Sequence, residues 1–315
     1  MNGIVRILAG LLIPCLLLGQ KGTTQKTVQE QLGYDPDAKL LIVHADDLGV
    51  AHSENRASIK VLENGGVNSA SIMVPCPWFL EIAAYAKTYN FRDFGVHLTL
   101  NSEWKNYKWG PVSGRNTVPS MVDENGYFFD NTSEVGEKGK ADEVMLELDN
   151  QVQMAIANHI DVTHLDTHMG AVLSKKEFFK AYLKVGNKYQ LPVLLAKNIP
   201  WVNDADILSL IHDGNQVVVD QVFGAGPQDF DSGMATYYKN VLDQLEPGLN
   251  VLLIHLAFND TEMKAVTKDH SYWGAAWRQA DFDFFSGKGF QLALEKNNIH
   301  LVTWMEIRDK IIRSQ

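Results

Sequence analysis

A chain of 315 residues, 45% hydrophobic and 21% charged, is long enough for one large α/β domain or two ordinary ones. Its net charge of -10, with no basic stripe, argues against nucleic acid as a partner. Its two cysteines, Cys15 and Cys76, give no internal disulfide framework once the N-terminal segment is set aside.

Residues 1–20 read as a signal peptide. Arg6 precedes an apolar run from Ile7 to Leu18 that is too short to span a bilayer comfortably, and Gly19-Gln20 leads into polar sequence. The expectation is therefore an exported protein, periplasmic or extracellular, with no membrane span after signal removal. An uncleaved anchor is the alternative. A lipid anchor on Cys15 is the lesser reading, because Pro14 precedes it. Residues 21–37 are polar, Gln-rich and contain proline, which suits a linker, and residues 38–315 read as one domain.

Leu40-Leu41-Ile42-Val43 is a continuous apolar run, the pattern of a strand buried on both faces. It continues through His44-Ala45 and stops in Asp46-Asp47-Leu48-Gly49. Two neighbouring acids at the mouth of a buried strand repel each other and lose hydration, so a metal ion or hydrogen-bond donors must compensate. A helix cap or a plain turn is the alternative. Helical spacing follows from Ser53 to Asn64, closed by Gly65-Gly66. A short strand, Asn68 to Val74, a helix, Trp78 to Tyr89, and a strand, Phe94 to Leu100, come next.

Residues 101–140 break the alternation and carry Trp104, Tyr107, Trp109, Tyr127, Phe128 and Phe129. Disordered segments are poor in aromatics, so an ordered loop beside a site is expected. Alternation then resumes: helix Ala141 to Asn158, strand Val162 to Asp166, helix Lys175 to Tyr189, strand Pro192 to Ala196, helix Ile207 to His212 and strand Gln216 to Val222. The last elements are helix Gly233 to Leu245, strand Val251 to His255, a largely helical Gln279 to Asn297, strand Ile299 to Thr303 and helix Met305 to Arg313. Strands alternating with helices and no Gly-rich phosphate loop predict a single distorted (β/α) TIM-like barrel of roughly seven to eight parallel strands.

The strands end in chemistry. The first stops at Asp46-Asp47, the third carries His97, the fourth runs into His164-Leu165-Asp166-Thr167-His168, and a later one ends at His255. In a barrel these C-terminal ends converge on one face. Imidazoles and a carboxylate with open positions make a metal site. A ligand set without thiolate suits Zn, Mn, Co, Ni or Fe, and Mg less well.

Four stretches together resemble the YdjC-like carbohydrate deacetylase family, whose members include chito-oligosaccharide deacetylases related to polysaccharide deacetylases. They are Ala45 to Gly49 with Asn55, Gly65 to Met73, Gly95 to Leu100 and Thr163 to His168, with His255, Arg278 and Asp281 further on. The resemblance implies a barrel fold, an acetylated oligosaccharide as substrate, and a hydrolase of carbon–nitrogen bonds other than peptide bonds. It also implies one divalent metal ion, magnesium by likeness, with Zn, Mn, Co or Ni as alternatives. By motif, Asp47, His97 and His168 would hold the metal, Asp46 would be the base and His255 the acid. His164 and Asp166 would orient the ligands, and Arg278 would hold Asp46 ionised. Trp104, Tyr107, Trp109 and Tyr127 are candidates for stacking on sugar rings.

The sequence also departs from that pattern. His44 stands where relatives commonly have a small polar residue, Met169-Gly170 follows His168 in place of further histidines, and Leu256-Ala257 follows His255 in place of Pro-Gly. Two rival functions stay open at this point: a metal-dependent phosphoesterase and a secreted carbohydrate-binding protein without activity. A homo-oligomer is compatible with the sequence.

Overall fold

A computed structural model describes residues 26–314. The expected signal peptide, Cys15 and the start of the expected linker lie outside the described residues. The rest of that segment forms helix α1 (Val28–Leu32), closed by a Thr27–Glu30 capping box. Leu32 is buried against the C-terminal residues Ile311 and Ile312, so α1 packs as part of the domain.

The elements then follow as β1 (Lys39–Leu48), α2 (His52–Glu63), β2 (Ser69–Ile72), α3 (Phe79–Thr88), β3 (Phe94–Leu98), α4 (Thr132–Lys138), α5 (Ala141–Ala157), β4 (Val162–Thr167) and α6 (Lys176–Tyr189). After them come α7 (Ala205–Asp213), β5 (Gln221–Gly224), α8 (Pro227–Ser232), α9 (Met234–Asp243), β6 (Gly248–Ile254) and α10 (Thr261–Val266). The chain closes with α11 (Ala275–Phe285), α12 (Lys288–Lys296), β7 (Ile299–Leu301) and α13 (Trp304–Ile307).

All pairings between these strands are parallel, in the order β4-β3-β2-β1-β6-β5, with β7 beside β1. This is the parallel α/β sheet with flanking helices that the alternation predicts. The expected strand Pro192 to Ala196 is reduced to single parallel bridges, Leu165 with Val193 and Ala196 with Val219. Proline has no N–H to continue the ladder there. The strand expected from Gln216 begins at Gln221, and the long C-terminal helix is broken at Ser286-Gly287 into α11 and α12.

β1 has β7 beside its first residues and β2 beside its last ones. Asn68 closes the gap: its Oδ1 accepts from the Val43 N–H at 2.8 Å and its Nδ2 donates to the Val302 carbonyl. Alternation along β1 sorts its side chains. Leu41, Val43 and Ala45 join the large core shared with α2 and α3, while Leu40 and Ile42 join a second core with Val219, Val251 and Trp304. His44 and Asp46 continue the Leu40–Ile42 face towards the C-terminal end, where apolar packing gives way to buried polar groups.

Segment 101–140 is ordered, as expected. Val118, Met121, Phe128 and Phe129 are buried, and Val122 pairs with Phe128 in an antiparallel bridge.

Candidate active site

Adjacent strand residues should face opposite ways, yet Asp46 and Asp47 line the same cleft. The cause is a bulge. Between Ala45 and Leu48, β1 spans three residues while β2 spans two, and Asp47 takes φ = 68° in the left-handed region. Gly49 at φ = 94° completes the turn, and its N–H donates to Asn55 Oδ1 at 2.7 Å.

The bulge delivers Asp47 to His97 on β3 and to His168, just past β4. Asp47 Oδ1 lies 3.3 Å from His97 Nε2 and 3.2 Å from His168 Nδ1, and those two nitrogens are 3.3 Å apart. This oxygen is buried and has no hydrogen-bond partner. Three lone-pair atoms so spaced fit one cation, because bonds of about 2.0–2.2 Å at tetrahedral or octahedral angles put ligand atoms roughly 3 Å apart. The remaining ring nitrogens fix the tautomers. His97 Nδ1 donates to Asp166 Oδ2 at 2.8 Å and His168 Nε2 donates to Glu103 Oε2 at 2.9 Å, which leaves the lone pairs facing Asp47.

Charge supports the same picture. Burial disfavours the Asp47 carboxylate, but Arg278, His168 and His97 outweigh it and hold its pKa well below the ordinary value. Burial likewise opposes charge on His168, while Glu103 and Asp47 raise it to about 9, so a cation bound here would displace that proton. Asp46 has no guanidinium in contact. Burial, to which Asp166 and Asp47 add, outweighs His97 and His44 and pushes it up to about 7. The two neighbouring acids therefore differ in basicity, as a ligand and a base should.

Arg278 does not hold Asp46, contrary to the sequence expectation. Its Nη2 pairs with Asp47 at 2.7 Å, its Nη1 with Glu54 at 2.7 Å, and its Nε donates to the Trp273 carbonyl at 2.8 Å. The neighbour of Asp46 is His44, whose Nε2 is 3.3 Å from Asp46 Oδ1 and 3.2 Å from Asp166 Oδ2. Ser69 and Ser71 fill the remaining polar positions of His44. Asp166 thus serves two histidines, and burial of its carboxylate is outweighed by His97 and His44, which hold it ionised. His164 touches neither His97 nor His168. It stacks on Trp304, bonds Thr163 and meets the edge of the His44 ring, one layer deeper than expected.

A family model described as "YdjC-like protein" matches residues 40–296. This chain belongs to the YdjC-like family. It is 29% identical to a carbohydrate deacetylase of Thermus thermophilus over 280 residues, covering 87% of this chain and 95% of that one. A carbohydrate deacetylase of Thermoanaerobacter pseudethanolicus is 25% identical over 275 residues, covering 84% and 98%. Among solved structures, one from Enterococcus faecalis V583, described as a proposed cellobiose-phosphate cleavage protein, superposes with a TM-score of 0.72 at 26% identity. It covers 86% of this chain and 99% of that one.

In this YdjC-like chain the cleft above the acids has a volume of about 610 Å³. His255 lines it, with Nε2 3.8 Å from Asp46 Oδ2 and 4.0 Å from Asp47 Oδ2. Burial lowers its pKa to about 3, so the imidazole rests neutral. Of the expected stacking aromatics, only Trp104 lines the cleft. Tyr107 donates its hydroxyl to the Val50 carbonyl, Trp109 is buried behind His168 with Nε1 on the Asn101 carbonyl, and Tyr127 is exposed away from the cleft.

Sequence reasoning missed Glu103 and the segment His270-Ser271-Tyr272-Trp273, which together complete the cleft wall. Asn101-Ser102-Glu103-Trp104 directly after β3 was a usable signal, since strand-end loops carry function in this architecture.

Proposed function

We propose that this chain is a carbohydrate deacetylase that hydrolyses N-acetyl groups on a saccharide. The Asp47–His97–His168 triangle beside a more basic Asp46 carries the reading, and similarity to proteins named carbohydrate deacetylases supports it. A divalent cation, magnesium by family likeness, would be held by Asp47, His97 and His168 and would supply Lewis acidity to a water and to the acetyl carbonyl.

The protein's own part is proton handling. Asp46 accepts the proton of water as the water oxygen bonds to the carbonyl carbon. His255 Nε2, 3.8 Å from Asp46 Oδ2, is placed to pass that proton on. The resting imidazole is a weaker base than Asp46, so it takes the proton only as negative charge builds on the acetyl oxygen. It then gives the proton to the amide nitrogen as the carbon–nitrogen bond breaks, leaving acetate and a free amine. Arg278 keeps Asp47 ionised, and Asp166 and Glu103 keep the two imidazoles in the tautomers that face it.

The phosphoesterase reading loses support at the cleft itself. Among the described residues no lysine lines it, and its arginine is committed to Asp47 and Glu54. A pure binder would gain nothing from buried acids so costly to desolvate. Residues 1–20 are proposed as an export signal, which N-terminal sequencing of the expressed protein tests.

The decisive assay measures acetate release from N-acetylated oligosaccharides by the purified chain with added divalent cations, beside Asp46→Asn and His97→Ala. Both variants are expected to be inactive. Release that persists in His97→Ala refutes the metal reading, and no release from any substrate refutes the deacetylase reading.

A further inference from the structure

The aromatics singled out in segment 101–140 mostly pack inside it, yet a deacetylase of saccharides needs a surface that holds a sugar ring. The cleft has such a surface on its other side. Trp273 lines the cleft and is 42% exposed, so part of its indole is open to a ligand there. One face of its indole is covered by Trp277, stacked at 4.9 Å between centroids with an interplanar angle of 26°. Its backbone sits at φ = 54°, a left-handed conformation that a bulky residue keeps only where surrounding contacts impose it.

Those contacts are specific. The Trp273 carbonyl accepts from Arg278 Nε, and the same guanidinium bonds Asp47 and Glu54 through its other nitrogens. Arg278 is itself buried and also lies 5.5 Å over the Trp104 ring. One rigid residue therefore sets the distance between an exposed indole and the carboxylate at the centre of the site. Across the cleft, Met169 is 55% exposed and left-handed at φ = 50°, a second apolar side chain presented on a turn.

We propose that Trp273 is the platform for a pyranose ring and a main determinant of affinity for the saccharide, with Arg278 tying its position to Asp47. An indole presents a flat apolar face that matches the C–H face of a pyranose, while the ring's hydroxyls stay at the polar edge of the cleft. The inference rests on the saccharide reading above, but it concerns binding and not turnover. The side chain touches the sugar and not the acetyl group.

Calorimetry with the tetramer of β-1,4-linked N-acetylglucosamine tests it, using the full-length chain with Asp46→Asn throughout to prevent turnover. Trp273→Leu keeps an apolar side chain without a ring, and Trp273→Tyr restores a ring. Leu is expected to weaken binding roughly tenfold and Tyr by less than about threefold, the scale of one aromatic contact. Equal affinity in the Leu variant and its parent overturns the platform, as does a loss in Leu that Tyr does not restore. A parent chain that binds no tetramer overturns both the platform and the saccharide reading. If Leu weakens binding, Tyr restores it, and the chain without Asp46→Asn releases no acetate, the platform stands and the deacetylase reading fails.

Discussion

The wall of the cleft built by β1, β3 and β4 and the wall built by residues 270–278 hold their side chains in different ways. On the strand wall, Asp46, Asp47, His97 and Asp166 are all buried, and His97, His44 and Asp166 bond to one another or to Ser71. On the loop wall, Trp273 is exposed and strained, and it stays in place through Trp277 and Arg278. The strand wall gains accuracy from a shared low-dielectric network, in which each group depends on its neighbours. The loop wall gains reach, since only a residue outside the ladder can lean over the opening. Arg278 bonds to both, through Asp47 on one side and the Trp273 carbonyl on the other.

That contrast breaks first at His97. If Asp47, His97 and His168 hold a cation as proposed, His97→Ala removes one corner of that triangle and is expected to abolish cation binding, read by elemental analysis, and to lower acetate release at least about a thousandfold. Arg278→Met tests whether the walls are joined. It leaves the buried Glu54 without its ion-pair partner and Asp47 with the two histidines alone, so urea unfolding should show a loss of roughly 3–5 kcal/mol. A loss near zero would mean that the guanidinium does not couple them.

Smaller effects sharpen the picture of the strand wall. Asp166→Asn and Glu103→Gln keep side-chain shape but weaken the hold on His97 and His168, and each should cost about 10–100-fold in cation affinity measured by titration. Asp166 should cost more, because it also bonds His44 and Ser71. A pH dependence is expected at Asp281, which accepts from the His255 backbone N–H at 3.0 Å and from the Tyr238 hydroxyl at 2.6 Å. Burial raises its pKa from 3.8 to about 7. Between those values the folded state binds a proton that the unfolded chain has lost, so rising pH favours unfolding. Asp281→Asn mimics the protonated acid. Unfolding free energies of wild type minus variant should fall with pH by on the order of 1 kcal/mol per unit through that window and then level off. A flat difference would mean that Asp281 ionises normally.

Much of the fold and the centre of the site could be read from the sequence, because apolar runs that end in acids or histidines mark strand ends. The alternation gave the parallel sheet, and the strand ends brought Asp46, Asp47, His97 and His168 to one cleft. What escaped were features decided by tertiary contacts. The partner of Arg278 depends on how α11 packs against α2, which no local pattern encodes. Residues 192–196 and 216–219 have the apolar character of strands, but only single bridges form there. The aromatics of segment 101–140 looked like sugar contacts because composition does not distinguish a ring that packs a loop from one that faces a ligand. Trp273 sat unnoticed in a polar connection, where neither periodicity nor burial singles out one residue. His44 now has a place, between Asp46 and Asp166.

The extra residue that β1 carries opposite β2 also limits how this site can be transplanted. A designer who copied Asp46-Asp47 onto a regular strand of a (β/α) barrel would send the first acid into the lumen and the second into the helix layer. There Asp47 would lie among the counterparts of Val43 and Ala45, far from both imidazoles. The portable unit is therefore the kinked segment through Gly49, together with the Asn55 amide that holds its turn.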